Sequence, residues 1–261
     1  MLKIKNITVK YGRNNPVIEN FNLSMKQGEI ISIVGESGSG KTTVIRAITG
    51  LLPSEGKITT GKIMFQDKSL LNYSTKQWRE YRGSEISMIF QDCGNMLNPI
   101  RSIGSQFIEY ILSHEKISRK EAHNKAVDML DKMRLSNSEN IMKSYPFQLS
   151  GGMRQRVGIA MAMTFKPKLL IADEPTSALD VTTQYQIINQ MMELRDNYNT
   201  SIIIVTHNLG IATYMSDKII VMKDGKIVEE GNRFKVLNNP QSEYTKRLLD
   251  SVPVMEGKRY V

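Results

Sequence analysis

The residues Gly35-Glu-Ser-Gly-Ser-Gly-Lys-Thr-Thr43 hold the strongest chemical signal in this 261-residue chain. They follow an apolar run at 30–34 and open a helical pattern at 41–49. Gly35, Gly40, Lys41 and Thr42 fit the spacing of a phosphate-binding loop, G-x-x-x-x-G-K-[ST]. Glycines there let backbone N–H groups curl around phosphate oxygens with no Cβ in the way, and the following helix adds its positive N-terminal end. Ser37, Gly38, Ser39 and Thr43 complete the expected cradle for a nucleoside triphosphate. Lys41 would reach the β- and γ-phosphates, and the Thr42 hydroxyl would hold Mg2+.

A second group lies far along the chain, in Leu169-Leu-Ile-Ala-Asp-Glu-Pro175. An apolar strand ending in Asp173-Glu174 is expected to put two carboxylates at the carboxyl edge of a sheet, beside the phosphate loop. There Asp173 would bind Mg2+ and Glu174 would polarise the attacking water. Taken alone, an acidic pair after an apolar run can equally be a helix start whose charges favour the dipole. A third group, Leu149-Ser-Gly-Gly-Met-Arg-Gln-Arg156, stands just upstream. Ser150, Gly151 and Gly152 open a helix with bare N–H groups, either as a simple capped start or as a second anion site. Two half-sites for one triphosphate in a single chain suggest a head-to-tail dimer in which each partner completes the other's site.

The elements that must position these groups alternate between two periods. Short β-branched runs at 4–11, 30–34, 62–65, 86–90, 169–172, 202–206 and 218–222 read as strands, and 41–49, 119–133, 151–165, 182–198 and 243–251 as helices. Buried strands alternating with helices predict an α/β layered fold with a mostly parallel core sheet. The pieces at 8–11 and 62–65 suit an antiparallel β flap, and Asp224-Gly225 a tight hairpin turn. Residues 95–150 are helix-prone and polar, and read as an inserted helical lobe. The expected organisation is one domain over 1–250 with a short tail at 251–261.

Composition narrows the class. The chain carries 35 Lys and Arg against 26 Asp and Glu, a net charge of +9. That balance fits nucleic acid, anionic lipid, phosphorylated ligands or a solvated face. The basic residues are spread along the chain rather than gathered into a run, which weakens the nucleic-acid option. The single cysteine, Cys93, excludes an internal disulfide and a cysteine-built zinc or iron–sulfur site. The N-terminal residues have no signal-peptide apolar core, and the apolar runs are far too short to span a bilayer. Any membrane channel must come from another chain.

Together these motifs make the sequence resemble the ABC ATPases through nearly its whole length. The resemblance implies the P-loop ABC-ATPase fold and further roles: Tyr11 stacking on adenine, Gln91 linking Mg2+ and the water nucleophile to a transport subunit, and Asp180 in a loop facing the opposite subunit. It also implies His207 sensing the γ-phosphate, whereas His114 and His123 read as surface residues of the lobe. The signature octapeptide, Tyr145-Pro146, Asn98-Pro99 and the tail Pro240-Gln-Ser-Glu-Tyr-Thr with Pro253 further resemble the oligopeptide, dipeptide and nickel importers. Longer members of that group end in a cysteine cluster that this sequence lacks, so its length resembles the nickel branch, with peptide import as the alternative. A soluble ATPase acting on nucleic acid or ribosomes is a more remote one. The group implies a second, non-identical ATPase subunit, two membrane permeases and an extracellular solute-binding protein. It places such a chain at the cytoplasmic face of the cell membrane as a peripheral protein with no nucleic-acid partner. Three positions depart from the group: Cys93 stands where proline is usual, Phe147 where histidine is common, and Asn208 where aspartate follows the histidine. Cys93 and Phe147 fall near the expected permease contact.

Overall fold

The computed structural model describes residues 1–13, 15–91, 93–177, 179–250, 254–255 and 258–259. Most of the tail expected at 251–261 therefore lies outside the described residues, as do Asp92 beside Gln91 and Ala178 before Asp180. In chain order the strands are β1 (Leu2–Tyr11), β2 (Ile18–Met25), β3 (Ile30–Val34), β4 (Gly56–Phe65), β5 (Lys68–Ser69), β6 (Ile86–Ile89), β7 (Leu169–Asp173), β8 (Ser201–Thr206), β9 (Lys218–Lys223) and β10 (Lys226–Asn232). The helices are α1 (Lys41–Thr49), α2 (Thr75–Tyr81), α3 (Cys93–Met96), α4 (Ile103–His114), α5 (Arg119–Lys132), α6 (Ser138–Lys143), α7 (Gly151–Met163), α8 (Val181–Tyr198), α9 (Leu209–Met215), α10 (Arg233–Asn238) and α11 (Glu243–Asp250). Contacts divide them into two compact units, Met1–Arg79 with Ser201–Val261, and Glu80–Thr200.

The first unit is built on strands buried from both sides. All five residues of β3 are buried, and β3 runs parallel to β8 on one side and β9 on the other. Such a strand reads as a continuous apolar run because both faces are covered. Strand β10 closes this edge antiparallel to β9 through the turn at Asp224 and Gly225, whose φ angles of 48° and 76° suit the hairpin geometry. A separate antiparallel sheet, ordered β2-β1-β4-β5, forms the expected flap. Strand β2 has no counterpart among the sequence-predicted strands. Its buried positions Ile18, Phe21, Leu23 and Met25 are separated by Asn20, Asn22 and Ser24, and pairing with β1 holds it extended.

The second unit pairs β6 and β7 in parallel and carries helices α3 to α8. Between 97 and 150 its described residues form helices and a 3-10 turn and no strand. Helix α5 starts with a reciprocal capping box: Glu121 N–H donates to the Ser118 side chain while the Glu121 carboxylate accepts from Ser118 N–H. The α/β class, the parallel core strands and the antiparallel flap all agree with the sequence reading. No helix among the described residues is long and apolar enough to cross a membrane.

Candidate functional site

In the first unit the phosphate loop connects β3 to α1. Gly35 and Gly40 have φ of 154° and 99°, and a Cβ at Gly35 would strike the Met222 carbonyl while one at Gly40 would strike Ile18. Only glycine meets both demands, positive φ and backbone approach. The loop tip at Glu36, Ser37 and Gly38 is exposed, and Ser39, Gly40, Lys41 and Thr43 are buried beneath it. Lys41 folds back over the loop, where its Nζ donates to the carbonyls of Gly35 and Glu36, both at 2.7 Å, and to Ser39 Oγ at 3.4 Å. The ammonium is thus held along the loop by three oxygen acceptors. Thr42, the next residue of α1, is half-buried.

Two further candidates join this loop. Tyr11 ends β1, and its hydroxyl lies 3.3 Å from the Thr43 hydroxyl on the first turn of α1. His207 follows β8, whose register pairs Thr206 with Val34, so His207 and Gly35 each stand one residue beyond paired strand ends. Asn208 caps α9, its side chain accepting from Ile211 N–H at 3.2 Å. Asparagine and aspartate cap equally well, which accounts for this departure.

In the second unit the parallel register pairs Ile89 with Ala172. Counting two residues on from each gives Gln91 and Glu174, and their side chains do meet: Gln91 Nε2 donates to Glu174 Oε2 at 3.3 Å. Glu174 has a left-handed backbone, φ 45°, kept there because its carbonyl accepts from both the N–H and the hydroxyl of Ser177, at 3.3 and 3.2 Å. Asp173, its neighbour at the end of β7, is buried.

Ser150, Gly151, Gly152 and Asp180 also come together. They line an open cleft of about 400 Å3 with Arg156, Leu179 and Thr183. Ser150 caps α7 by accepting from Met153 N–H at 3.2 Å, and Asp180 caps α8 by accepting from Thr183 N–H at 3.0 Å and its hydroxyl at 2.7 Å. Those bonds from Thr183 hold the Asp180 carboxyl below its usual range. Two helix starts and a guanidinium facing one cleft suit an anion. Arg156 belongs to the signature octapeptide and had no expected role. It follows Gly152 by four residues, about one helical turn, so the two share a face, and its Nη2 donates to Gln186 Oε1 at 2.6 Å.

Mg2+ takes oxygen ligands and keeps several waters or phosphate oxygens. Taken by chemistry alone, Thr42 of the first unit offers a hydroxyl oxygen, and Gln91 and Asp173 of the second offer amide and carboxylate oxygens, all donor types that suit Mg2+. Among the described residues no cluster of three or more His, Cys, Asp or Glu could hold a metal by itself. Of the other expectations, His114 and His123 are both half-buried, and the ring centroids of Tyr110 and Phe165 lie 5.1 and 4.8 Å from that of His114. Cys93 is 6% exposed and sits against Gly158, whose added Cβ would meet its sulfur at 2.7 Å. That departure therefore acts on the packing of α3 against α7, whereas Phe147, stacked on Tyr145, is 71% exposed.

A family model described as ABC transporter matches residues 18–177. The oligopeptide transport ATP-binding protein AppD of Bacillus subtilis is 42% identical over 99% of this chain and 80% of its own length. The dipeptide transport ATP-binding protein DppD of the same organism is 42% identical over 98% of this chain and 78% of its own. OppD of Escherichia coli, an oligopeptide transport ATP-binding protein, is 41% identical over 99% and 77%. Among solved structures, the dimeric post-hydrolysis ATP-binding cassette MJ0796, bound to ADP and phosphate, superposes with a TM-score of 0.78 at 30% identity, covering 89% of this chain and 99% of that one. The cassette cbiO1 of Clostridium perfringens, part of the cbiONQ transporter complex, gives 0.80 at 29% identity, covering 91% and 90%.

Proposed function

The chain belongs to the ABC transporter family as an ATP-hydrolysing subunit, and from that premise we propose that it energises import of di- or oligopeptides. The names of the relatives above support the peptide reading. The nickel cargo expected from chain length finds no support in those names. The proposed assembly holds a second, non-identical ATPase chain, two permeases and an extracellular binding protein. This chain would then be peripheral at the cytoplasmic membrane face, with no nucleic acid involved.

The proposed roles follow from the chemistry of each group. Tyr11 stacks on the adenine, and the loop from Gly35 to Thr43 cradles the phosphates, with Lys41 on the β- and γ-oxygens. Thr42, Gln91 and Asp173 would hold Mg2+, which neutralises phosphate charge when bound. Glu174 accepts the proton of the attacking water and His207 holds the γ-phosphate in line. Ser150, Gly151, Gly152 and Asp180 act on the ATP of the partner subunit. The observation that carries the hydrolytic part is the Gln91–Glu174 hydrogen bond, because it ties the base to the residue expected to report on the permease.

The test is purification of the tagged chain from detergent-solubilised membranes with ATP present. Two permeases, a second ATPase and a binding protein that takes up peptides and not nickel chelates support the proposal. A binding protein selective for nickel would replace the cargo, and ribosomal or nucleic-acid partners without a permease would overturn the transport reading.

A further inference from the structure

The tail segment 240–253 carries a likeness to importers but no chemistry of its own in the roles above. In the structure the Tyr244 hydroxyl, on α11, accepts a hydrogen bond from the backbone N–H of Glu36 at 3.0 Å. That N–H belongs to the same peptide unit as the Gly35 carbonyl, which accepts from Lys41 Nζ at 2.7 Å. N–H and C=O of a trans peptide point to opposite sides. The 35–36 peptide is therefore gripped at one end by the phenol and at the other by the ammonium. Gly35 makes the grip matter, because a peptide next to glycine rotates with little steric resistance. A reversed peptide would turn its carbonyl away from Lys41.

Helix α11 is itself firmly seated. The two N–H groups preceding it, of Gln241 and Ser242, donate to the two oxygens of the Glu229 carboxylate at 2.8 and 3.1 Å. Burial pushes Glu229 up, but the nearby Thr245 hydroxyl and the N–H bonds from Gln241 and Ser242 outweigh it and hold the carboxyl below its ordinary value. Tyr244 and Leu248 pack on a cluster that includes Val34, Val221, Val236 and Leu249. Val34 immediately precedes Gly35, so the same cluster supports both sides of the contact. Lys223 Nζ lies 5.2 Å from the Tyr244 ring centroid, within cation–π range.

We propose that Tyr244 is a positioning residue for nucleotide binding: the C-terminal helix fixes the 35–36 peptide so that the Gly35 carbonyl keeps Lys41 aligned along the phosphate loop. The inference rests on the phosphate-loop reading of 35–43 and is independent of cargo.

Tyr244→Phe removes the hydroxyl and leaves the ring packing. It is expected to raise the KM for ATP about three- to tenfold, the factor one neutral hydrogen bond supports, with kcat unchanged. The Glu36 amide should also exchange faster with deuterium. Should that variant not fold, Glu229→Gln, which weakens the seat of α11, is expected to move KM in the same direction. A KM at the wild-type value overturns the proposal even if the melting temperature falls, because a merely structural residue would do that. A lowered KM also overturns it, since the latch would then favour the empty loop. Lys41→Ala tests the underlying reading separately: undiminished ATP binding there would refute the phosphate loop rather than Tyr244.

Discussion

Glu174→Gln separates binding from hydrolysis, and the structure says why it should do little else. The side chain sits on a backbone at φ 45° whose carbonyl is held twice by Ser177. Glutamine has the same Cβ and nearly the same shape, so the left-handed conformation costs the same in both proteins. Stability should change by no more than about 0.5 kcal/mol, a shift of roughly 1–2 °C in Tm for a chain this long. The contact to Gln91 also survives, because an amide oxygen can still accept from Gln91 Nε2. What is lost, in the proposed role, is the ability to take a proton from water. A general base contributes about 100- to 10,000-fold, equivalent to roughly 2.7–5.4 kcal/mol of barrier. The assay is phosphate release at saturating ATP and Mg2+, beside equilibrium ATP binding and size-exclusion chromatography. Unchanged affinity, turnover down at least about a hundredfold and a dimer that persists with ATP are expected. Turnover near the wild-type rate would refute the assignment of the base.

Other perturbations test other parts of the site. At Gly151 an added Cβ meets only Leu179, at 3.7 Å, so Gly151→Asp should fold normally while placing a carboxylate in the anion cleft. ATP binding by the isolated chain should be unchanged, with turnover of the assembled transporter reduced tenfold or more, about the effect of opposing like charges. Asn208→Asp should match wild type in activity and stability. Asn208→Ala should lose about 1 kcal/mol of capping and lower Tm by about 2–4 °C, measured by calorimetry. Burial lowers the His114 pKa below 6.5, with Glu115 opposing. The unfolded chain therefore binds the proton first, and stability should fall as pH drops from 6.5 toward the depressed native value. The partial exposure of this ring limits the size of the effect, and His114→Gln should flatten that part of the stability–pH curve.

Much of the fold was legible because its core strands are buried on both faces. The reading of 30–34 matches β3 at both ends, since five consecutive apolar or small residues between charge and glycine leave no other register. Strand β2 escaped because it alternates, and its outward positions carry Asn20, Asn22 and Ser24, which favour turns in isolation. Its extension depends on β1, which bends around Asn6 at φ 50° to keep pairing on both sides. Cys93, expected near a permease contact, opens α3 as a buried residue against a helix glycine more than sixty residues away, a packing that its local sequence does not announce.

The site shows the same division between what a motif states and what the tertiary structure adds. Motifs name the groups proposed to touch phosphate, because that chemistry demands particular residues at fixed local spacing. Contacts between distant segments follow from strand register instead. Pairing Ile89 with Ala172 obliges Gln91 and Glu174 to emerge side by side, and pairing Val34 with Thr206 does the same for Gly35 and His207. Neither register can be counted until the strand order is known. Tyr244 is the extreme case, 208 residues from Glu36. Its position depends on where Glu229, one strand earlier, captures the two amides that start α11. A buried carboxylate in β10 has no visible function in the sequence. In the structure it determines which side chain reaches the phosphate loop, so Tyr244 shows in the sequence only as part of the tail's likeness, with no chemistry attached to it.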